Sequence, residues 1–172
     1  KGEYRNRLFT NIQDFLKGKA QIGWLMMFVQ NDMYSLKESL ALAKQFVQKG
    51  HNIFFLEEFS SLKVQLRALV ETFKHGLQFV FHENTIRKAH QLNGYNTYSL
   101  LKNDWYSSWV GSNSYLNLAY YYLFKKALQQ LKAKKCVNIC EMQSWEKALL
   151  YARNEVQPEM EVIGYTHGTV SK

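Results

Sequence analysis

Short apolar runs alternate with longer segments of helical periodicity, and this alternation constrains the fold more than any other feature of the sequence. The clearest runs of strand length are residues 22–29, 52–57, 136–140 and 161–165. Strands separated by helices of about ten to sixteen residues indicate a parallel sheet built from right-handed crossovers. The alternation therefore predicts an α/β fold, a Rossmann-like three-layer domain with a mainly parallel sheet.

Four segments carry apolar residues at helical spacing between or beside these runs. They are residues 35–49, a segment capped by Ser60 or Ser61, a long segment from Ser112 or Asn113 to about Lys132, and a segment with Trp145, Ala148, Leu149 and Ala152. In the second segment the apolar residues that repeat at helical spacing are Leu62, Leu66, Leu69, Val70 and Phe73. Residues 77–81 fit either a third strand or a continuation of this helix, and we favour the strand.

The size and composition of the chain fit one globular domain. It has 172 residues, of which 47% are hydrophobic, so a substantial core is possible without disulfide or metal staples. Residues 1–20 are charged and weakly periodic, and they predict a peripheral N-terminal helix around Leu8, Ile12 and Leu16. Residues 21–172 are then expected to form a single Rossmann-like domain.

The formal net charge is +8, which favours anionic partners such as nucleic acid, an anionic membrane face or phosphorylated small molecules. The sequence carries no RRM, KH, OB or helix-turn-helix signature, so we do not expect nucleic acid. Five lysines crowd the end of the long helix: Lys125, Lys126, Lys132, Lys134 and Lys135. They fit contact with anionic lipid headgroups or simple complementation of the helix dipole.

The two cysteines are expected to be buried free thiols. Cys136 and Cys140 would lie about 13 Å apart on one face of a strand, which is too far for a disulfide. This predicts a reducing compartment and a cytoplasmic location, with the inner face of the membrane as one possible place. No Cys/His spacing resembles a zinc site, so no metal is predicted.

Two titratable residues follow neighbouring predicted strands. Glu141 follows the run at 136–140, and His167 follows the run at 161–165. If these strands are parallel, both side chains emerge at the carboxyl edge of the sheet, where open α/β sheets bind ligands. Glu141 is then a candidate general base, and His167 a candidate donor to a phosphate or leaving oxygen. Alternatively, Glu141 only favours a helix N-terminus and His167 is a turn residue.

Further residues extend this candidate site. Gly168 and Thr169 would let backbone approach an anion and supply a hydroxyl, and Asp32 follows the first predicted strand at the same edge. Trp105 and Trp109 lie in a segment rich in small polar residues. This segment fits either a wall whose aromatic faces pack on a ligand or a loop whose indole rings anchor the core.

No nucleotide-binding or hydrolase motif is present in the sequence. The patterns G-x-G-x-x-G, Walker A and G-x-S-x-G do not occur, which argues against a self-contained dinucleotide enzyme, a P-loop protein or a serine hydrolase.

Residues 140–152 (CEMQSWEKALLYA) and 162–170 (VIGYTHGTV) resemble a family of bacterial surface-carbohydrate biosynthesis proteins. These are glycosyltransferase-like proteins of two-domain, GT-B-like architecture, with an E-x-Q-x-W-E-K-A-L helix start and a G-Y-x-H-[ST] strand end. Residues 55–60 and 105–109 are similar to the same family more loosely. The resemblance covers most of the chain from about residue 22.

The resemblance implies a function in capsule or lipopolysaccharide biosynthesis. The chain would be the N-terminal, acceptor-side domain, which needs a C-terminal domain to hold a nucleotide-sugar donor and does not turn over by itself. Its partners would be a sugar or a lipid-linked glycan acceptor, and it would need no cofactor of its own. Carried over by position, the residues lining the cleft would be Glu141, Gln143, Trp145, Glu146, His167, Gly168 and Thr169.

The main alternative is a non-catalytic binding module of flavodoxin-like topology that docks a partner through its aromatic surface. A nucleic-acid-binding domain is a weaker alternative, because only the charge and the aromatic residues favour it.

Overall fold

A computed structural model describes residues 14–16, 18–28, 35–92 and 94–165. It divides the chain into two compact units. Unit 1 contains residues 1–59 and 166–172, and unit 2 contains residues 60–165. The predicted α/β class is confirmed. The described strands form three sheets of two strands each, of which two are parallel and one is antiparallel. The single domain over residues 21–172 stays a prediction.

Unit 1 contains two parallel strands joined by a helix: β1 (Gly23–Met26), α1 (Leu36–Gln48) and β2 (Asn52–Phe55). Ser35 caps α1, because its hydroxyl accepts the Glu38 N–H at 3.3 Å while the Glu38 carboxylate accepts the Ser35 N–H at 2.8 Å. This reciprocal pair is a capping box. The predicted strand–helix–strand order is thus confirmed here. Of the predicted N-terminal helix, residues 14–16 are helical, and residues 1–13 lie outside the described part of the chain.

The strand predicted over residues 52–57 ends at Phe55 because a 3-10 helix (Leu56–Phe59) follows it directly. The Glu58 carboxylate accepts the backbone N–H of Phe55 at 2.9 Å, so this donor is satisfied by a side chain. Leu56 and Phe59 are buried, as are Ile53 and Phe55 of the strand.

Unit 2 is built mainly from four helices: α2 (Leu62–Ala89), α3 (Tyr98–Trp109), α4 (Ser112–Leu131) and α5 (Ser144–Val156). A two-residue antiparallel ladder, β3 (Gln91–Leu92) with β4 (Tyr95–Asn96), joins α2 to α3. Helix α4 is central, because α2, α3 and α5 all pack on it. Its buried residues include Ala119, Leu123, Phe124, Ala127 and Leu128.

Helix α2 overturns the strand predicted over residues 77–81, because it runs for 28 residues through this segment without a break. Gly76 does not end the helix, since it is buried beside Val110, whose Cγ1 lies 3.6 Å from the position of an added Cβ. Within the apolar run, Phe79 is buried while Leu77, Val80 and Phe81 are exposed. A short apolar run does not distinguish a strand from a helix by itself.

The apolar residues that repeat at helical spacing do not form the buried face of α2. Leu62, Leu66, Leu69, Val70 and Phe73 are all exposed, and the buried residues are Ala68, Thr72, Gly76 and Phe79. Three of these buried residues are small and lie four residues apart, so they form one row on the helix. Small side chains in such a row allow neighbouring helices to approach α2 closely.

The C-terminal part of unit 2 is a strand–helix–strand unit of β5 (Lys135–Ile139), α5 and β6 (Glu161–Tyr165). The two strands pair in parallel, with Lys135 opposite Glu161 and Ile139 opposite Tyr165. The predicted parallel orientation of these two strands is thus confirmed. The ladder continues past β5, where the Cys140 N–H donates to the Tyr165 carbonyl at 2.9 Å. Cys140 is exposed and Cys136 is half-buried, so the expectation that both thiols are buried is wrong.

Candidate functional site

The carboxyl edge of the β5–β6 pair holds the predicted base. Glu141 follows the last paired residue of β5 by two positions, and it is exposed. Because the strands are parallel, Tyr165 at the C-terminal end of β6 lies at the same edge as Ile139 at the end of β5. The other residues predicted there, His167, Gly168 and Thr169, lie outside the described residues, as does Asp32 in unit 1.

Glu146 holds the segment that carries Glu141. Its Oε1 accepts the backbone N–H of Glu141 at 2.8 Å and that of Gln143 at 2.9 Å. These hydrogen bonds, with that from Gln143 the stronger influence, lower the pKa of Glu146 below its usual value. Gln143 is the N-cap of α5. Two of the residues that carry the family resemblance therefore also have a local role, because they start the helix and fix the backbone of Glu141.

Met142 lies between these two bonded residues with a φ of 58° and is 94% exposed. Left-handed backbone is uncommon for a residue with a side chain, and here it is held in place by the two hydrogen bonds to Glu146. The segment at the edge of the sheet is therefore fixed by hydrogen bonds rather than by burial.

Trp145 and the two tryptophans of α3 pack against other aromatic rings. Trp145 is half-buried, with its ring 6.4 Å from that of Phe124 on α4. Trp109 lies 6.0 Å from the buried ring of Phe79, and Trp105 lies 5.5 Å from the ring of His90. These contacts tie α3 to α2 and its C-cap, which agrees with the interpretation of the indoles as core anchors. Contact of the three tryptophans with a substrate stays a prediction.

An open cleft of about 810 Å³ lies in unit 2 between α5 and the other helices of the unit. Its lining comes from all four helices of the unit. Ten of the twelve lining residues have polar side chains: His75, Ser108, Ser114, Asn117, Tyr121, Ser144, Lys147, Tyr151, Asn154 and Glu155. We call this the α5 cleft. It begins at Ser144, three residues after Glu141.

Two residues that line the α5 cleft, Tyr121 and Glu155, belong to a hydrogen-bonded group with Lys125. The Glu155 carboxylate accepts hydrogen bonds from the phenol of Tyr121 and the ammonium of Lys125. The Lys125 hydrogen bond, and then that of Tyr121, lower the pKa of Glu155 below its usual value. Burial, and then the hydrogen bond to Glu155, raise the pKa of Tyr121 to about 12. At neutral pH the group is therefore an ionised carboxylate between a neutral phenol and a cation.

Three of the five lysines near the end of α4 have an identified partner or position in the structure. The Lys125 ammonium donates a hydrogen bond to the Glu155 carboxylate. The Nζ of Lys135 lies 2.6 Å from Oε2 of Glu161 in the neighbouring strand. Lys132 is the C-cap of α4. These three lysines therefore have local roles within unit 2.

The residues that line the α5 cleft carry hydroxyls, side-chain amides, an imidazole and an ammonium, while most of the lining surface itself is apolar. Tyr151, which is 68% exposed, adds an aromatic face. Such a set hydrogen-bonds polyhydroxylated ligands and accommodates a negative charge at Lys147. Among the described residues there is no group of three or more His, Cys, Asp or Glu side chains placed to hold a metal ion.

No protein-family model matches this chain, and neither a curated protein nor a solved structure matches it. The family resemblance described above therefore stays a prediction. No helix in the described part of the chain has both the length and the apolar character needed to cross a membrane.

Sequence analysis did not identify most of the cleft residues. A signal was nevertheless present, because Asn117 and Tyr121 are four residues apart on α4, and Ser144, Lys147, Tyr151 and Asn154 recur at spacings of three and four on α5. Such spacing places polar side chains on one face of each helix. What the sequence did not show is that these two faces meet.

Proposed function

We propose that this chain is the acceptor-side part of a glycosyltransferase for bacterial surface polysaccharides. The observation that carries the proposal is the α5 cleft, whose lining includes Ser144, three residues after Glu141 in the sequence, and nine other residues with polar side chains. The acceptor in this proposal is a sugar or a lipid-linked glycan. Its hydroxyls are bound by Asn117, Ser144 and Asn154, and the ring of Tyr151 contacts an apolar sugar face.

The chemical step needs a base near the acceptor hydroxyl. In the proposed reaction the acceptor oxygen forms a bond to the anomeric carbon of the donor, while the bond from that carbon to the leaving phosphate oxygen breaks. The phosphate keeps the electron pair, and the carboxylate of Glu141 takes the hydroxyl proton. General base catalysis of this kind contributes typically 10²–10⁴-fold to a rate.

The proposal includes parts that lie beyond unit 2. The donor is a nucleotide-sugar bound by a C-terminal domain, and His167 with Gly168 and Thr169 assists the leaving phosphate. The Rossmann-like three-layer sheet and a cytoplasmic location at the inner face of the membrane also belong to the proposal. The confirmed parallel β5–β6 pair supports the site at this edge, because such edges are where open α/β sheets bind ligands.

The first test measures binding of oligosaccharides from lipopolysaccharide cores and from capsules, one at a time, by saturation-transfer NMR and calorimetry. We expect Tyr151→Ala to weaken binding at least about tenfold, a change of about 1.4 kcal/mol. The matched control is Tyr95→Ala, because Tyr95 is similarly exposed (77%) and lies outside the cleft. Equal binding by both variants, or binding by none of the proteins, would contradict the cleft as an acceptor site.

The second test measures sugar transfer from nucleotide-sugars by the full-length protein. We expect Glu141→Gln to lower the rate at least about 100-fold with an unchanged melting temperature, and Glu159→Gln, a like change at another exposed carboxylate, to leave the rate unaltered. Binding of the oligosaccharide without transfer to it would instead support the alternative of a non-catalytic binding module.

A further inference from the structure

Helix α2 carries an exposed apolar stripe. Eight large apolar residues in unit 2 form it, and each is between 45% and 81% exposed: Leu62, Leu66, Leu69, Val70, Phe73, Leu77, Val80 and Phe81. We call this set the α2 stripe. Its residues recur at spacings of three and four, which places them within an arc of about 120° on the helix.

The α2 stripe is separate from the side of the helix that packs inside unit 2. The buried residues Ala68, Thr72, Gly76 and Phe79 have their centre about 125° around the helix from the centre of the stripe. Helix α2 therefore has two apolar faces, and α3 and α4 occupy only one of them. Contiguous exposed apolar surface of this kind marks an interaction site in a folded protein.

The area of the α2 stripe matches what one partner contributes to a stable protein interface. The two phenylalanines have areas of roughly 150–250 Å² and the leucines and valines have smaller ones, so exposures of 45% to 81% leave on the order of 100 Å² for each residue. Eight such residues offer roughly 800 Å² for each copy, which is the share of one partner in an interface of standard size.

Residues of the α2 stripe are arranged symmetrically about one point of the helix, so two antiparallel copies of the stripe can match each other. Leu62 and Phe81, Leu66 and Leu77, and Val70 and Phe73 form three pairs that share one centre, between Glu71 and Thr72. A two-fold axis through this centre brings each of these residues opposite the other member of its pair in a second copy. Such mutual pairing is what an isologous interface requires.

We infer that the protein forms a homodimer through the α2 stripe, with the two α2 helices antiparallel. Val70 and Phe73 lie closest to the two-fold axis, and Leu62 of one copy packs on Phe81 of the other. One flank of the stripe carries Lys63 and Lys74. The Lys74 ammonium is paired with the Glu71 carboxylate of its own helix at 2.9 Å, so this flank does not present two unneutralised charges to the second copy.

The test of assembly is sedimentation of the full chain over a concentration series, with light scattering as a second measure of mass. We expect a dimer whose dissociation constant rises at least about 100-fold in Phe73→Asp, since both copies lose a central contact. Val80→Asp serves as a second stripe variant, with circular dichroism confirming the fold of each. Leu100→Asp is the matched control, because Leu100 is 80% exposed on α3 and should leave the dimer intact.

The geometry is tested by measuring the distance between spin labels on the two copies of the dimer. The label is attached to the Asn84→Cys variant, in which Cys136 and Cys140 are replaced by Ser. Asn84 lies on the line of the α2 stripe beyond Phe81. The antiparallel dimer places the two labels about 40 Å apart, whereas a parallel pair places them about 10 Å apart.

Several results would overturn the inference. A chain that is still monomeric at about 100 µM, a dimer insensitive to Phe73→Asp, or a short label distance would each do so. Flotation of the monomer with vesicles of anionic phospholipid, weakened by salt, would assign the stripe to a membrane surface instead. A monomer whose stripe residues resist labelling would show that the same chain covers them.

Discussion

The phenol of Tyr121 on α4 donates a hydrogen bond to the carboxylate of Glu155 on α5, and both residues line the α5 cleft. Lys125 donates to the same carboxylate from the next turn of α4. The three side chains therefore link α4 to α5. Tyr121 and Glu155 of this group form part of the cleft's lining.

The first prediction concerns the titration of Tyr121. Its pKa is raised to about 12, so the neutral phenol is favoured in the folded state. The stability that this provides is fully present below pH about 10, the usual tyrosine pKa, and is lost as the pH rises through about 12. We expect Glu155→Gln to lower the pKa of Tyr121, because the acceptor loses its charge.

The measurement for Tyr121 is tyrosinate absorbance against pH. The difference between the wild-type protein and Tyr121→Phe isolates this residue, and Glu159→Gln is the control for an exposed carboxylate. A Tyr121 titration unaltered by Glu155→Gln would mean that the hydrogen bond does not form in solution.

The second prediction concerns Glu146. Glu146→Ala removes the acceptor for the N–H groups of Glu141 and Gln143, and loss of such a cap costs about 1 kcal/mol of the free energy of unfolding. We expect the melting temperature to fall by about 2–4 °C. Glu146→Gln retains an acceptor oxygen and should lose less. Equal losses in both variants would show that charge at the helix N-terminus, rather than the hydrogen bonds, supplies the stability.

The third prediction contrasts two phenylalanines of the same helix. Phe79 is fully buried, with its ring 4.9 Å from that of Tyr106, and Phe79→Ala should cost about 3–5 kcal/mol of the free energy of unfolding. Phe73 is 68% exposed, so Phe73→Ala should change stability by less than about 0.5 kcal/mol at concentrations where the chain is monomeric. Urea unfolding measures both. A large loss in Phe73→Ala under these conditions would mean that Phe73 is buried within its own chain.

The fourth prediction contrasts two glycines of unit 2. An added Cβ at Gly111 would lie 3.0 Å from Cα of Ser107, whereas at Gly76 the nearest atom is Val110 Cγ1 at 3.6 Å. Gly111→Ala must shift backbone and should cost about 1–3 kcal/mol. Gly76→Ala replaces a glycine inside a helix without a clash and should gain about 0.5–1 kcal/mol. Thermal unfolding of both variants tests this, and a loss at Gly76 would mean that α3 and α2 pack more closely than described.

The sequence by itself determined the features that depend on neighbouring residues. Ser35 and either Ser60 or Ser61 were predicted as helix starts, and the structure shows Ser35 and Ser61 as N-caps whose hydroxyls accept a backbone N–H. The strand–helix–strand order from Lys135 to Tyr165 and its parallel pairing were also predictable, because a crossover helix between two strands favours that orientation. Capping and crossover connection both act over short stretches of chain.

Only the tertiary structure decided which apolar face of α2 is buried and which polar residues form a cleft. Leu66 and Phe73 are larger and more hydrophobic than Ala68 and Gly76, yet the two small residues are buried and the two large ones are exposed. The reason is that burial depends on the surface of the helices that pack there, and small side chains admit a close neighbour. Likewise, Asn117 and Tyr151 both line the α5 cleft only because α4 and α5 pack together.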